Sequence, residues 1–277
     1  MTETPLVWRP STGWEPAGGA GGALLAVDSW LVRDGRARGL DRHRQRFFTA
    51  CAEAAGVPPE RLWSFWRAVL DALPRQPGRW FPRVELSAGP ESPDGPAGSL
   101  RLWVRPAPPQ AADVQVWVPP TRDPRTVPRR KGPDLAALAG LRSAAARRSA
   151  QEALLLSRGG LILEAANASV LWWEGGRLCV PAPSLSILPG VTSAIIVERA
   201  RQLGVPVVHR RRPPTQLNGR EAWLVNALHG IRPVTRWREA PILAGPAHRA
   251  PAWQAWLDGL AEPLPDRPAA QDEVLAG

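Results

Sequence analysis

The amino-acid sequence predicts an α+β protein built from two domains. Its 277 residues exceed what a single hydrophobic core usually organises. In the first part of the chain, two helical patterns of apolar residues precede two alternating, strand-like segments. Residues 117–130 are rich in proline, which favours extended backbone, and a second series of helices and strands follows them. We therefore expect an N-terminal α+β domain at 1–116, an interdomain linker at 117–130 and a C-terminal α/β domain at 131–277.

The first domain is expected to start with an apolar stretch and to continue with two helices. Asp41 is a suitable N-cap for the first helix, because its carboxylate can accept hydrogen bonds from the first helical N–H groups. The predicted features are an apolar stretch at 23–32, a turn at 34–35, helices at 41–54 and 61–73, strands at 80–86 and 100–105, and a Pro/Gly-rich loop at 89–98.

The second domain alternates helices and strands. Leucines at three- and four-residue steps predict its first helix, and Gly204 suits the left-handed end of its second helix. The acidic, proline-rich tail after Pro263 is expected to fray. The predicted elements are a helix at 134–150, a second helix that follows the segment 188–192 and ends at 203–204, and strands at 153–156, 161–173, 177–180, 206–208 and 222–226.

The composition excludes several classes of protein. Hydrophobic residues make up 44% and charged residues 22%, which are values of a folded globular chain. No apolar run approaches the length of a membrane span, and the first residues lack the pattern of a secretory signal, so we expect a cytoplasmic protein. Cys51 and Cys179 are too few for a disulfide framework, and no zinc-ligand spacing occurs.

The basic residues are almost all arginine. The formal net charge is +10, yet Lys131 is the only lysine among 35 basic side chains. A GC-rich coding bias accounts for the arginine excess, so the charge does not by itself predict a nucleic-acid partner. Because a guanidinium cannot form an imine or carry protons near neutral pH, a retained lysine is a candidate for amine chemistry. The alternative is a chance surface lysine beside Arg129 and Arg130.

Five segments decide between these alternatives. In chain order they contain His43-Arg44-Gln45-Arg46-Phe47, Lys131, Glu164, Pro189-Gly190-Val191-Thr192, and Asn226-Ala227 followed by Pro233-Val234. Together they resemble the class IV pyridoxal-phosphate (PLP) enzymes, a family that includes branched-chain and D-amino-acid aminotransferases and aminodeoxychorismate lyase. The resemblance spans roughly residues 23–235 and implies the two-domain architecture known as PLP fold type IV.

The resemblance implies a role for each matching residue. Lys131 stands at the position of the catalytic lysine that holds pyridoxal 5'-phosphate covalently. Arg46 matches the arginine on the phosphate. Glu164 matches the carboxylate on the pyridine nitrogen, where negative charge keeps the ring able to accept electrons. Helix N-termini bind phosphate through backbone N–H groups, and the remaining expected cofactor contacts are Gly190, Val191, Thr192, Asn226 and Ala227.

Departures from the family pattern weaken the assignment of the substrate. The chain has no tyrosine, Ser169 stands where asparagine is usual, and Gly132, Pro133 and Asp134 replace the usual residues after the lysine. The segment that shapes the substrate pocket is also altered, and within it Ser29 is a candidate substrate contact. A substrate with two carboxylates needs two cationic contacts, for which Arg105 and Arg232 are candidates.

Asn226 and the residues that follow it are closer to the aminodeoxychorismate lyases than to the aminotransferases. The resemblance thus implies a PLP-dependent lyase that converts 4-amino-4-deoxychorismate to 4-aminobenzoate and pyruvate. It also implies a small-molecule amino substrate and a homodimer, with neither nucleic acid nor membrane as partner. An amino-acid aminotransferase is the first alternative. The second is a non-catalytic protein that binds an anionic partner through exposed tryptophans and the basic run His209-Arg210-Arg211-Arg212.

Overall fold

The computed structural model describes residues 5–18, 22–89 and 98–266. The chain divides into two compact units: unit 1 is Met1–Ala107 with Ala261–Gly277, and unit 2 is Pro108–Leu260. Both units combine helices with sheets, which confirms the predicted α+β class. Unit 2 begins upstream of the predicted linker because Val114–Trp117 is a strand of its sheet.

In its described residues, unit 1 contains two helices and two antiparallel sheets. The larger sheet has the order β2-β1-β8-β7-β3 and the smaller one β17-β5-β4-β6. The elements are β1 (Leu6–Arg9), β2 (Gly13–Pro16), β3 (Leu24–Ser29), β4 (Val32–Arg33), β5 (Arg36–Ala37), α1 (Leu40–Ala55), α2 (Pro59–Ala72), β6 (Arg79–Trp80), β7 (Arg83–Ser87), β8 (Ser99–Trp103) and β17 (Glu262–Pro263).

Helix α1 starts one residue before the predicted N-cap. Gly39 precedes the helix in the left-handed conformation, with φ 61°, so Asp41 lies in the first turn instead of capping it. There its negative charge still favours the positive end of the helix dipole. The apolar faces of α1 and α2 supply Phe47, Phe65 and Trp66 to a core that also contains Trp30.

Unit 2 is organised around one mixed sheet with the order β11-β10-β9-β16-β15-β12-β13-β14. An isolated bridge between Ala165 and Ala168 spans the tight turn that connects β11 to β12. The elements are β9 (Val114–Trp117), α3 (Leu135–Ala146), β10 (Glu152–Leu156), β11 (Ile162–Ala165), β12 (Ser169–Glu174), β13 (Arg177–Pro181), α4 (Val191–Gln202), β14 (Val207–Arg210), β15 (Ala222–Asn226), β16 (Gly230–Arg238) and α5 (Ala250–Asp258).

The alternation of side chains along β12 separates two cores of unit 2. Val170 and Trp172 pack with apolar residues of β9, β10, β15 and β16, whereas Leu171 and Trp173 pack against α4 and α5. A period of two is what a strand with both faces buried requires. Fully buried tryptophan contributes a large apolar area, so β12 and β15 form a rigid base for the turns at their ends.

Several predicted elements differ from the structure. The predicted strand 161–173 is two strands separated by a tight turn, and the strand predicted to end at Arg105 ends at Trp103. The predicted loop 89–98 lies outside the described residues at 90–97, as does the predicted frayed tail at 267–277. Within the described ranges, no helix is both long and apolar enough to cross a membrane. A cytoplasmic location stays a prediction.

Candidate functional site

Lys131 lies in an irregular segment of unit 2 that is closed upon itself by one carboxylate. Asp134 accepts hydrogen bonds from the backbone N–H groups of Thr126 and Val127, both at 2.9 Å, and from the Thr126 hydroxyl at 2.8 Å. Although burial raises the pKa of Asp134, these hydrogen bonds hold it below its usual value. The half-buried Lys131 is therefore presented from a loop of defined shape directly before α3.

Glu164 lies on β11 and is 5% exposed. Its Oε1 accepts hydrogen bonds from Arg125 Nη1 at 2.5 Å and from the backbone N–H of Leu188 at 2.8 Å. Within the described part of the chain, no hydrogen bond reaches its Oε2. Burial raises the pKa of Glu164, and the positive charge of Arg125 opposes that rise. The carboxylate is fixed by one oxygen and can accept a further donor with the other.

Two arginines fasten the Lys131 segment to the loop before α4. Arg125 donates to the carbonyl oxygens of Pro128 and Ser186, each at 3.2 Å, in addition to Glu164. Arg129 donates to the carbonyl oxygens of Pro183 and Leu185 at 3.1 and 3.2 Å. These bonds bring the segment that carries Lys131, the carboxylate of Glu164 and the loop that leads into α4 together in one place.

The N-terminus of α4 is built for close approach by another group. Gly190 precedes the helix, and no side chain caps it, so the first N–H groups point outward without an intrahelical acceptor. A Cβ on Gly190 would overlap Ser169 Oγ at the start of β12. Val191 and Thr192 are buried. This arrangement is typical of an anion site that uses backbone donors, with the Ser169 hydroxyl beside it.

Asn226 connects two turns next to this helix end. Its Nδ2 donates to the carbonyl oxygen of Asn167 at 3.2 Å, and its Oδ1 accepts from the N–H of His229 at 2.8 Å. Because Ser169 pairs with Val225 across β12 and β15, Asn226 and the half-buried Ala227 lie beside the β11–β12 turn. The predicted cofactor contacts of unit 2 are thus linked to one another through these hydrogen bonds and strand pairs.

Arg232 is engaged elsewhere in unit 2. It is 3% exposed and donates to Glu152 Oε1 at 3.2 Å, and Glu152 is itself buried. Burial lowers the pKa of Arg232, and Glu152 opposes that effect. The guanidinium that the sequence suggests for a substrate carboxylate is therefore already paired with a protein carboxylate.

Unit 1 holds Arg46 in a buried cluster. The Asp28 carboxylate accepts from Arg46 Nε and Nη2, both at 2.8 Å, lies 2.8 Å from His43 Nδ1, and accepts from the N–H of Ser29 at 2.7 Å. Burial raises the pKa of Asp28, but Arg46 and His43 outweigh it and the pKa is strongly lowered. Burial lowers the pKa of His43 despite the nearby carboxylate. The cluster fixes Arg46 on α1 in a single orientation.

Arg105 lies just beyond β8 and is anchored by part of its guanidinium. Its Nε donates to the carbonyl oxygen of Phe81 at 3.0 Å, and the group lies over the Phe81 ring, 5.4 Å from its centre. Burial, together with the charge of Arg83, lowers the pKa of Arg105. Within the described residues, the terminal nitrogens of Arg105 make no hydrogen bond, so they can serve a ligand.

The basic run at 209–212 is largely engaged within unit 2. Arg210 and Arg212 form ion pairs with Glu174 at 3.2 and 3.3 Å, and Arg211 contacts the Ser184 hydroxyl at 3.3 Å. Burial raises the pKa of Glu174, but the hydrogen bonds from Trp172, Arg212 and Arg210 together outweigh that effect and lower the pKa to about 2. Such pairing reduces the charge that this run presents to a polyanion.

Sequence reasoning missed three residues of the site: Asp123, Arg125 and Asn167. Arg125 lies six positions before Lys131, in a proline-rich stretch expected to be a linker. In so arginine-rich a chain nothing distinguishes it from a surface residue. The sequence offered one signal for Asn167: asparagine occurs at only three positions, so each of them could have been considered as a site residue.

Comparison with known proteins places these features in a family. The model of the family described as amino-transferase class IV matches residues 25–237. Among curated proteins, the aminodeoxychorismate lyase of Bacillus subtilis is 30% identical over 89 residues, which cover 32% of this chain and 30% of that protein. The matched part is thus less than a third of that relative.

Solved structures share the fold at low sequence identity. The branched-chain amino acid aminotransferase of Escherichia coli superposes with a TM-score of 0.77 at 17% identity, covering 93% of this chain and 94% of that one. A hypothetical aminotransferase from Mycobacterium tuberculosis, in its PLP-bound form, has a TM-score of 0.74 at 20% identity, with 92% and 98% covered. These matches confirm the predicted PLP fold type IV.

The family match confirms the resemblance predicted from the five sequence segments. Its members are PLP-dependent enzymes, so the predicted cofactor is confirmed at the level of the family. The chain belongs to the amino-transferase class IV family.

Proposed function

We propose that this protein is a PLP-dependent lyase that converts 4-amino-4-deoxychorismate to 4-aminobenzoate and pyruvate. The observation that carries the proposal is the turn after β15. There Asn226 binds both Asn167 and the backbone of His229, within the sequence segment that is most similar to the lyases. The partial identity with the Bacillus subtilis lyase supports the same reading.

The residues of the site fit the cofactor. Glu164 Oε2 is available to a ring N–H, and the N-terminus of α4 offers backbone donors that no side chain caps, next to the Ser169 hydroxyl that lies against Gly190. We propose that the amine of Lys131 holds the cofactor covalently and that the carboxylate of Glu164 binds the ring nitrogen of the cofactor. The phosphate contacts would come from Arg46, Gly190, Val191 and Thr192, with Asn226 and Ala227 beside them.

When bound, PLP supplies an electron sink for the bonds at the substrate carbon that carries nitrogen. The chain supplies the remaining groups. The Lys131 amine moves the proton at that carbon, a role that arginine cannot take because its pKa is too high. The Glu164 carboxylate provides negative charge at the ring nitrogen. The substrate divides into 4-aminobenzoate and pyruvate without gain or loss of other atoms, so the reaction requires no further reactant.

The two substrate carboxylates require cationic contacts, and the two candidates differ. Arg105 uses only Nε for the protein, which favours it as a carboxylate ligand. Arg232 is paired with Glu152 and could bind substrate only by sharing its guanidinium. We propose Arg105 as the main contact, with Ser29 from β3 as a second polar group. A cytoplasmic homodimer is part of the same proposal.

The covalent role of Lys131 is tested by chemical trapping. Borohydride reduction of the PLP-loaded protein, followed by peptide mapping, should give a pyridoxyl adduct at position 131. Since Lys131 is the only lysine, the N-terminal amine is the sole competing site. Lys131→Arg keeps the positive charge and should give no adduct. An adduct found only at the N-terminus would contradict the proposal.

The reaction is tested by product analysis. Purified protein supplied with 4-amino-4-deoxychorismate should release equal amounts of 4-aminobenzoate and pyruvate, and Lys131→Arg should release neither. Robust exchange between amino acids and keto acids without 4-aminobenzoate would instead identify an aminotransferase. Binding of anions without uptake of PLP would identify a non-catalytic protein.

A further inference from the structure

Arg125 bridges two carboxylates, and one of them is the proposed partner of the cofactor ring. Asp123 accepts from its Nε at 2.9 Å and its Nη2 at 2.8 Å, while Glu164 accepts from its Nη1 at 2.5 Å. We propose that Arg125, anchored by Asp123, is a positioning residue that keeps Glu164 ionised and directs Oε2 toward the ring nitrogen. This inference rests on the proposed binding of PLP.

The guanidinium of Arg125 is immobilised. Its side chain is 5% exposed, and besides the two carboxylates it binds the carbonyl oxygens of Pro128 and Ser186. A planar fork held on several sides presents its remaining N–H in one direction, which a flexible ammonium would not do. With Leu188 donating to the same oxygen, Oε1 of Glu164 is occupied and the plane of the carboxylate is set.

The charges of the three side chains alternate. Arg125 carries one positive charge between two negative ones, so Asp123, Arg125 and Glu164 together carry a net charge of −1. A protonated ring nitrogen next to Glu164 would complete the alternation. If Arg125 bore no second carboxylate, its charge would cancel that of Glu164 and leave little to favour a positive ring.

The ionisation of Glu164 depends on Arg125 because the carboxylate is buried. A buried carboxylate without a cationic partner takes up a proton, since desolvation disfavours its charged form. The negative charge of Asp123 raises the pKa of Glu164, as burial does. The other neighbours, Leu155 opposite it on β10 and Leu188, carry no charge. The charge and hydrogen bond of Arg125 oppose both effects, with a further contribution from the hydrogen bond that the Leu188 N–H donates.

Two consequences of removing Arg125 have opposite signs, which makes the inference testable. Loss of a nearby positive charge by itself would make ring protonation easier. Loss of the negative charge on Glu164 would make it harder. The inference requires the second effect to dominate, because Glu164 bonds the ring directly while Arg125 acts from behind it.

The experiment uses protein reconstituted with PLP labelled with 15N in the ring, whose chemical shift reports whether the ring nitrogen carries a proton. In Arg125→Met, the pH at which that proton is lost should be lower than in wild type by about 1 to 3 units, the usual effect of a close charge partner. Arg129→Met is the matched control. Arg129 fastens the same segment to Pro183 and Leu185 without touching Glu164, so its ring protonation should equal that of wild type.

Arg125→Gln covers the case in which the methionine variant does not fold. Glutamine keeps an N–H donor for Glu164 but removes the charge, and it should lower the same pH midpoint. The inference is overturned if a variant at position 125 forms the Lys131 adduct but its ring nitrogen loses the proton at the wild-type pH or at a higher pH. That result would leave the proposed function intact. Absence of a Lys131 adduct in wild type would instead remove the proposed function, and this inference with it.

Discussion

Replacement of Asp28 by asparagine should strongly destabilise unit 1. Oδ1 of Asp28 accepts from the Ser29 N–H and Arg46 Nη2 and lies 2.8 Å from His43 Nδ1, and Oδ2 accepts from Arg46 Nε. Asparagine retains one acceptor oxygen, so the bonds to Oδ1 can persist. Its amide nitrogen would face Arg46 Nε, donor against donor. Arg46, whose side chain is only 14% exposed, would lose its charge partner.

The expected loss is about 3 to 5 kcal/mol in the free energy of unfolding, the usual effect of removing one member of a buried ion pair. That is a large part of the stability of a typical domain. Asp41→Asn is the matched control, because Asp41 lies on the same helix and pairs with Arg44 while its own side chain is 81% exposed. It should lose less than about 1 kcal/mol.

The pH dependence gives an independent test. The pKa of Asp28 is lowered in the folded state, so its contribution is complete above its unfolded value of about 4 and is lost as the pH falls below it. The pKa of His43 is also lowered, so a further loss begins as the pH falls below about 6.5. Asp28→Asn should abolish the loss near pH 4 that this site causes, but keep the loss that His43 causes.

Urea unfolding of the apoprotein between pH 3 and 8 measures both effects, and titration with PLP measures the consequence for the cofactor. If Asp28 orients Arg46 for the phosphate, PLP affinity should fall at least about tenfold, which corresponds to 1.4 kcal/mol. The reasoning is refuted if Asp28→Asn is as stable as Asp41→Asn at pH 7. Unchanged PLP affinity in a folded Asp28→Asn protein would refute the link to Arg46 alone.

Three further predictions concern unit 2. Gly190→Ala should lower the free energy of unfolding by about 1 to 3 kcal/mol and weaken PLP binding, because the new Cβ overlaps Ser169 Oγ. Adding Ser169→Ala should restore most of the stability in urea unfolding. If it does not, the overlap with Ser169 is not the cause of the loss. Arg232→Met should destabilise by about 3 to 5 kcal/mol, because it removes the hydrogen-bonded partner of the buried Glu152 and leaves only Arg142, at 3.8 Å and half exposed. The double variant with Glu152→Leu should recover most of this loss in the same assay, and equal loss in both would argue against a buried ion pair as the origin. Asp134→Asn should lose stability at pH 7, and this loss should shrink progressively as the pH falls below about 4, because the pKa of Asp134 is lowered in the folded state. A pH-independent loss in thermal unfolding would contradict this.

The helices of unit 1 could be predicted because their apolar spacing coincides with burial. Phe47 and Cys51 on α1 are both fully buried. The exact start of α1 depended on Gly39, whose left-handed conformation is one that glycine adopts easily. A side chain that could cap a helix is a weaker signal than a glycine that ends the preceding turn.

Strands interrupted by tight turns, or containing proline, were not predictable from local pattern. The turn at 166–168 inside the run 161–173 contains neither glycine nor proline, and Asn167 is the one turn-favouring residue that marks the break between β11 and β12. β16 contains Pro233, which normally argues against an inner strand. The structure accommodates it because pairing with β9 begins only at Val234, so the missing N–H lies just outside that ladder.

The candidate site shows a division of labour between the two basic residue types. Lys131 could be selected from the sequence because it is the only lysine, and Glu164 because its segment resembles the family motif, whereas Arg125 could not be distinguished from other arginines. In the structure, Arg125 and Arg129 act as multi-point donors that fasten backbone and carboxylates around the Lys131 segment. A guanidinium suits that task because its fork is planar and always charged, and for the same reason it cannot replace a titrating amine. A coding bias toward arginine can therefore convert every fastening position, and the one position that remains lysine is the one to which we assign the proton transfer.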